Sequence, residues 1–225
     1  MSRCALILCG GFGSRFKPIS KSPKILANFG NHKFIDWLIN YLKKNNFTKI
    51  YFSIGFKGDE IKTYLKNKDY FIDLQFIEEL DPLGTGGAVI NALNTTKENE
   101  LVVFNGDTFW NKNIPNSFFE EEIQNFIILT QNTNKNERYG DFKVVDNQLT
   151  FQRGTVELPI INSDIFIGIA RVSRNIINIE LDTPFSFEDL VMKVRTGVSL
   201  VKYSGQMLDY GTPEAYKYLS NMKNV

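Results

Sequence analysis

The sequence predicts an α/β protein: a mostly parallel sheet sandwiched by helices in its first part, and a smaller mixed α/β part after it. Three observations carry this. Up to about residue 125, short apolar runs bounded by glycine or turn residues alternate with stretches of helical periodicity. Beyond that point, strand-like runs follow one another with few helices between them. No Pro/Ser-rich or charge-rich linker divides the 225 residues, so 1–225 reads as one domain, with a half of about 1–125 and a half of about 126–225.

The elements justify themselves in order. Cys4 to Cys9 is an apolar run ending at Gly10-Gly11, the pattern of a strand buried on both faces. After a polar and basic loop through Lys24, Phe34, Trp37, Leu38, Tyr41 and Leu42 recur at helical spacing. Asp36, Asn40, Lys43 and Lys44 fall on the other face, and the aromatic stripe reads as core. Ile50 to Phe56 is a second strand, Ile61, Tyr64 and Leu65 mark a short helix, and Leu74 to Ile77 is a third strand. Gly86 to Leu93 is a helix after a glycine-rich turn, and Leu101 to Phe104 is a strand stopped by Asn105-Gly106-Asp107.

Strands are then predicted at Phe126–Thr130, Phe142–Val145, Leu149–Gln152 and Ile165–Val172, with a hairpin turn at Asp146-Asn147. Ser186 to Arg195 reads as a helix, Val198 to Tyr203 as a strand, and Pro213 to Met222 as a helix with proline in its first turn.

Composition excludes several classes of function. With 26 basic and 25 acidic residues the net charge is +1, so no global field attracts nucleic acid or a membrane surface. Phosphate binding must come from a few placed groups. Cys4 and Cys9 form neither a disulfide framework nor, alone, a metal site, and a reducing cytoplasm fits them. The apolar run at the N-terminus is too short for a signal-peptide core, and no run approaches a membrane span. The single histidine, His32, lies in a turn-like Gly30-Asn31-His32-Lys33 and reads as a solvated loop residue; a His-rich zinc site is untenable.

The chemistry concentrates first in Leu8-Cys9-Gly10-Gly11-Phe12-Gly13-Ser14-Arg15, followed by Pro23-Lys24. Glycines directly after a buried strand let the backbone turn tightly and bring N–H groups to a phosphate. Arg15 and Lys24 add the fixed positive charge that a triphosphate needs. No Gly-Lys-Ser/Thr follows, so this is not a Walker A loop, and Phe16 stands where a dinucleotide fingerprint needs its third glycine.

These residues resemble the sugar-1-phosphate nucleotidyltransferase family, whose signature is a glycine-rich run ending in Arg, then Pro-Lys. The resemblance continues in order through Asp81-Pro82-Leu83-Gly84-Thr85-Gly86-Gly87, Asn105-Gly106-Asp107, Arg138-Tyr139-Gly140, Phe185-Ser186-Phe187-Glu188 and Asp209-Tyr210-Gly211-Thr212-Pro213. It implies a Rossmann-like sheet of the GT-A kind, with a nucleotide-binding half and a sugar-binding half. The short length and the Leu-Cys-Gly-Gly start resemble bacterial D-glycero-D-manno-heptose 1-phosphate guanylyltransferases.

The implied reaction joins a sugar 1-phosphate to a nucleoside triphosphate and releases pyrophosphate. The attacking phosphate is already ionised, so no general base is required, in keeping with the single histidine. By resemblance Arg15 and Lys24 are catalytic, and Asp107 and Asp209 hold Mg2+. Read alone, Asp107 is equally a turn former and Asp209 a cap. Leu8, Gly10, Gly11, Gly13, Ser14, Glu79, Gly84 and Gly86 are implied to bind the nucleotide. A carboxylate such as Glu79 suits the paired donors of guanine, which uracil and thymine lack; Glu78 and Asp81 are rivals for that role.

Asn105, Tyr139, Gly140, Gln152, Arg153, Asp164 and Glu188 are implied to bind the sugar phosphate. Here the chain departs from the family, with Gln152-Arg153 in place of Glu-Lys and Asp164 in place of a small residue. Asp164 is read either as a ligand of sugar hydroxyls or as a cap at the start of a strand. The substrates expected are GTP and D-glycero-α-D-manno-heptose 1-phosphate, for capsule or surface polysaccharide, in the cytoplasm. Another base or a hexose 1-phosphate (mannose, glucose or glucosamine) stays open, as does a homodimer; no nucleic acid or membrane partner is expected. A nucleotide-binding regulatory domain is the non-enzymatic alternative. A glycosyltransferase is disfavoured because Asp107-Thr108-Phe109 lacks the second acid of an Asp-x-Asp motif.

Overall fold

The alternation of apolar runs and helical stripes becomes two successive strand–helix–strand units. The computed structural model describes residues 3–11, 22–136, 140–146, 148–153, 160–180, 182–210 and 213–220. In chain order the elements begin with β1 (Arg3–Leu8), β2 (Asn28–Phe29), β3 (His32–Lys33), α1 (Phe34–Lys44), β4 (Phe47–Ile54), α2 (Gly58–Lys66) and β5 (Asp73–Glu78). Next come α3 (Gly84–Thr95), β6 (Glu100–Asn105), β7 (Thr108–Trp110), α4 (Ser117–Glu120), β8 (Phe126–Asn136), β9 (Gly140–Val145), β10 (Gln148–Arg153) and β11 (Ile160–Ser173). The last are α5 (Phe187–Val194), β12 (Val198–Lys202), β13 (Met207–Asp209) and α6 (Pro213–Ser220).

Two compact units hold these elements. One contains β1 to β5, α1, α2, β7, β13 and α6; the other contains α3, α4, α5 and β8 to β12. The chain passes from the second to the first within β6, at Val103–Phe104. Each unit thus gathers segments that are far apart in sequence.

In the first unit β1, β4 and β5 run parallel, with Ala5 opposite Ile50 and Ile50 opposite Leu74. Ala5 to Ile7 and Ile50 to Ile54 are buried throughout, as strands covered on both faces require. Helix α1 buries Phe34, Ile35, Leu38, Ile39, Tyr41 and Leu42, so its stripe is core as expected. Trp37, half-buried, joins Phe29, Tyr41, Phe109 and Trp110 around a hollow of about 340 Å³.

Asp36 departs from the expected solvated face. It is buried and accepts hydrogen bonds from Tyr64 Oη (2.6 Å), Tyr70 Oη (2.5 Å), Lys68 Nζ (2.8 Å) and the Lys33 N–H (3.0 Å). Periodicity places a residue on a helix face but does not reveal donors that other elements bring to it. Two short pairings were likewise invisible to periodicity. The β2–β3 hairpin turns at Gly30 (φ +54°) and carries an exposed His32. The other is the antiparallel pair β7–β13.

In the second unit β8 and β11 form a long antiparallel pair, with β12 parallel to β8 and β9–β10 a hairpin. Asp146 sits at the turn of that hairpin with φ +50°, and Asn147 lies outside the described residues. Buried inside β11, Arg171 donates to Phe118 O (2.9 Å), Glu121 O (2.8 Å) and Glu100 Oε2 (2.8 Å), which offsets part of its lost hydration, while its Nε has no hydrogen-bond partner among the described residues. Among the described residues, no helix is long and apolar enough to cross a membrane.

Candidate active site

The first unit places one group of candidates where β1 and its parallel neighbours end, the end at which such sheets bind ligands. Beyond Leu8, Cys9 N–H donates to Ser53 O (3.0 Å) and Gly10 O accepts from Phe56 N–H (3.2 Å), extending the ladder past the strands. The Glu79 carboxylate fills the space beside Gly10, where a Cβ would stand 2.7 Å from Glu79 Oε1 and require that side chain to shift. Gly11 is exposed, and among the described residues a Cβ added to it would meet nothing within 4 Å. Gly13, Ser14 and Arg15 lie outside the described residues.

Glu79 follows β5, tied by its N–H to Ile54 O (2.8 Å). Ser53 Oγ donates to Glu79 Oε1 (2.7 Å). With Gly10, Gly55, Phe56, Leu80, Asp81 and Pro82, Glu79 lines a cleft of about 250 Å³. Of the two rival carboxylates, Asp81 lines the same cleft, whereas Glu78 forms an ion pair with Lys62. Burial, and then the Glu79 charge, push the Cys9 thiol well above the usual thiol range, which favours its protonated form.

A second group surrounds Asp107. Gly106 N–H donates to Leu8 O (3.1 Å), and a Cβ on Gly106 would stand 2.5 Å from that oxygen. This close approach carries Asp107 to the end of β1. Lys24 Nζ lies 3.1 Å from Asp107 Oδ2, in a pair partly shielded from solvent. The β7–β13 register sets Asp209 opposite Thr108, and Tyr210 N–H then donates to Asp107 O (2.9 Å).

Tyr210 is a residue whose role the sequence did not disclose. It is fully buried, stacks on Phe34 (4.7 Å between centroids) and donates its hydroxyl to Lys24 O (2.9 Å). Burial foremost, then Tyr216 and Asp107, raise its phenol far above the usual range, so it remains a neutral donor. Through its hydroxyl and its backbone N–H, one residue thereby ties together the segments bearing Lys24, Asp107 and Asp209. Asn105, half-buried at the end of β6, belongs to this unit.

Among the described residues, no group of three or more His, Cys, Asp or Glu could cage a metal. Two aspartates on paired segments are nevertheless a fitting donor set for Mg2+. That ion retains waters and takes one or two carboxylates together with substrate phosphate oxygens.

The second unit gathers other candidates. Gly84 (φ +75°) and Gly86 meet the Phe185–Phe187 segment: Gly86 N–H donates to Phe185 O (3.1 Å), Phe185 N–H to Leu83 O (3.1 Å), and Phe187 N–H to Thr85 Oγ1 (2.8 Å). A Cβ on Gly84 would strike Phe185 O, and one on Gly86 would strike Ser186 O. These glycines therefore have a packing role between two motifs that look independent in sequence. Ser186 caps α5, donating to Asp189 Oδ2 (2.7 Å) and accepting from the Asp189 N–H (3.1 Å), and Glu188 is half-buried in the first turn.

The β9–β10 register sets Gly140 opposite Arg153 and Asp141 opposite Gln152, which is exposed. Asp141, buried and not foreseen, accepts from the Asp164 N–H (2.7 Å) and pairs with Lys143 (3.0 Å). Asp164 lies within β11 rather than at its start, with Lys202 and Asn132 on its carboxylate. Tyr139 lies outside the described residues.

Residues 4–157 match the family described as nucleotidyl transferase. A D-glycero-alpha-D-manno-heptose 1-phosphate guanylyltransferase of Campylobacter jejuni is 30% identical over 223 residues, 94% of this chain and 96% of its own. The enzyme of that name from Aneurinibacillus thermoaerophilus is 29% identical over 226 residues, 95% of each chain. HddC from Yersinia pseudotuberculosis superposes with a TM-score of 0.83 at 26% identity, covering 97% of this chain and 98% of its own. Its complex with GMP-PN gives 0.81 at 27% identity over the same shares. The glycine turn after β1 and the Lys24–Asp107 pair stand within a match that covers more than half of the sequence: the chain belongs to the nucleotidyl transferase family.

Proposed function

We propose that this enzyme transfers a guanylyl group from GTP to a sugar 1-phosphate, with D-glycero-α-D-manno-heptose 1-phosphate as the preferred acceptor. A phosphate oxygen of the sugar attacks the α-phosphorus in line. The new P–O bond forms as the α–β anhydride bond breaks, and pyrophosphate leaves. No proton transfer is required, so catalysis consists of placing two anions together and offsetting their charge.

The observation that carries this reading is Lys24 held on Asp107 beside Asp209, at the strand end where the glycine turn begins. Asp107 and Asp209 are the residues that would hold Mg2+, which when bound neutralises charge on phosphate oxygens. Lys24, kept in place through Asp107 and Tyr210, stabilises the triphosphate, and Arg15 shares that task. Gly10, Gly11, Gly13 and Ser14 cradle phosphates; Leu8, Glu79, Gly84 and Gly86 serve the base and ribose. Gly140, Tyr139, Gln152, Arg153, Asp164, Glu188 and Asn105 serve the sugar phosphate, with Arg153 offering a bidentate fork.

The chain's likeness to two heptose 1-phosphate guanylyltransferases along nearly its whole length, and to HddC, whose structure includes a GMP-PN complex, supports these substrates. The same reading places the enzyme in the cytoplasm, supplying nucleotide sugar for capsule or surface polysaccharide, and a homodimer is its proposed assembly. Pyrophosphate release across four nucleoside triphosphates and a panel of heptose and hexose 1-phosphates tests it. GTP with the heptose phosphate is expected to give the highest kcat/KM. Turnover with dTTP or CTP but not GTP refutes the guanine assignment.

A further inference from the structure

The run Ile50 to Ile54 in β4 is buried throughout, and it contains one hydroxyl of a small polar residue, Ser53, with no exposed surface. A hydroxyl at such a position costs free energy unless it is hydrogen-bonded. Ser53 Oγ spends its proton on Glu79 Oε1 at 2.7 Å. Its backbone carbonyl meanwhile accepts from both Cys9 N–H (3.0 Å) and the Cys9 thiol (3.1 Å). Ser53 therefore joins the strand end that leads into the glycine turn to the carboxylate that lines the cleft.

Glu79 is confined from a second side. Its Oε1, Cδ and Oε2 would lie 2.7, 2.9 and 3.2 Å from a Cβ on Gly10, so the carboxylate occupies the space that the missing side chain leaves. Between Ser53 and Gly10 one orientation of the group is favoured, and leaving it costs the Ser53 bond. Ser53 uses one of about four acceptor directions of a carboxylate. The others remain for a ligand in the cleft bounded by Phe56 and Leu80, which are 40% and 95% exposed and leave its mouth open to an incoming base.

We propose that Ser53 is a positioning residue for base recognition, holding Glu79 so that its carboxylate receives both donors of guanine, N1–H and the 2-amino group. This rests on the guanine reading above. A fixed carboxylate matches two adjacent donors. A freely rotating one forfeits part of that match to conformational entropy, and with it the discrimination against bases offering a single donor. A merely satisfied core hydroxyl would affect stability and leave base preference unchanged.

Inosine triphosphate, whose base lacks the 2-amino group, is the probe. The wild-type enzyme is expected to favour GTP over inosine triphosphate in kcat/KM on the order of 10- to 100-fold, the value of a hydrogen bond to a charged group. Ser53→Ala is expected to lower that ratio by about tenfold, mostly through KM for GTP, because the bond to Oε1 is lost while Glu79 keeps access to water. Ser53→Thr, which keeps the hydroxyl on a strand-favouring residue, is expected to restore the ratio. On a Glu79→Gln background, Ser53→Ala is expected to change the ratio no further, since Ser53 acts through that carboxylate.

A ratio unchanged in folded Ser53→Ala, or an equal fall for both nucleotides, overturns the positioning role. An additive further fall on the Glu79→Gln background overturns the route through Glu79. A wild-type enzyme that does not distinguish the two nucleotides overturns two-donor recognition by Glu79, and one that works with another base altogether overturns the guanine reading itself; either outcome is recognised before any variant is made.

Discussion

The two glycine-rich segments look alike in sequence and do different work. At Gly10 the missing Cβ makes room for the end of a side chain, the Glu79 carboxylate, which also lines a cleft. At Gly84 and Gly86 it makes room for backbone, Phe185 O and Ser186 O. A side chain can swing away from an intruding methyl group, whereas a hydrogen-bonded backbone cannot. One segment thus opens beside a cleft and the other closes a packing seam, although both match motifs of the same family and both are proposed to meet the nucleotide.

Substitutions can break or sharpen this contrast. The largest effect is expected at the chemistry beside the first segment. Asp107→Asn should lower turnover by about 1,000-fold, roughly 4 kcal/mol of transition-state stabilisation, with the urea midpoint of unfolding little changed. Turnover within tenfold of wild type would remove Asp107 from the charge-bearing machinery.

The paired alanine substitutions test the contrast itself. Gly86→Ala should destabilise the protein by about 2–3 kcal/mol in urea unfolding, since the added methyl meets a fixed carbonyl. Gly10→Ala should cost under about 1 kcal/mol, since Glu79 can rotate, yet raise KM for the nucleotide. Equal losses of stability at both sites would erase the distinction.

The last substitution concerns Asp36, away from both segments. Burial pulls its pKa up, but hydrogen bonds from Lys68, Tyr64, Tyr70 and the Lys33 N–H outweigh this and hold it below the ordinary carboxylate value of 3.8. The unfolded chain then binds this proton more readily than the folded one. The stabilisation is complete above that value and is lost as pH falls through the lower folded one. Asp36→Asn should cost about 1–2 kcal/mol at neutral pH and flatten the stability profile below about pH 4. A profile as steep as that of the wild type would show that other carboxylates govern acid unfolding.

Much of the molecule was legible in advance, for local reasons. The alternation of buried strands and amphipathic helices was readable because burial on both faces leaves continuous apolar runs such as Ala5 to Ile7, and helical burial leaves a period such as Phe34, Leu38, Tyr41. Motif order pointed to Lys24, Asp107 and Asp209. Asp36 was misread as solvated because its donors come from α2 and the segment after it. Strands β7 and β13 went unseen because three residues carry no period.

By itself, then, the sequence determined the α/β class, the order of its elements and membership in the nucleotidyl transferase family, all of which depend on spacing along the chain. Only the tertiary structure decided that Tyr210 ties Lys24 to Asp107, that Ser53 holds Glu79, and that Gly84 and Gly86 close on Phe185 and Ser186. Those contacts join residues far apart in sequence, and a single serine, tyrosine or glycine carries no local mark of the partner that folding will bring to it.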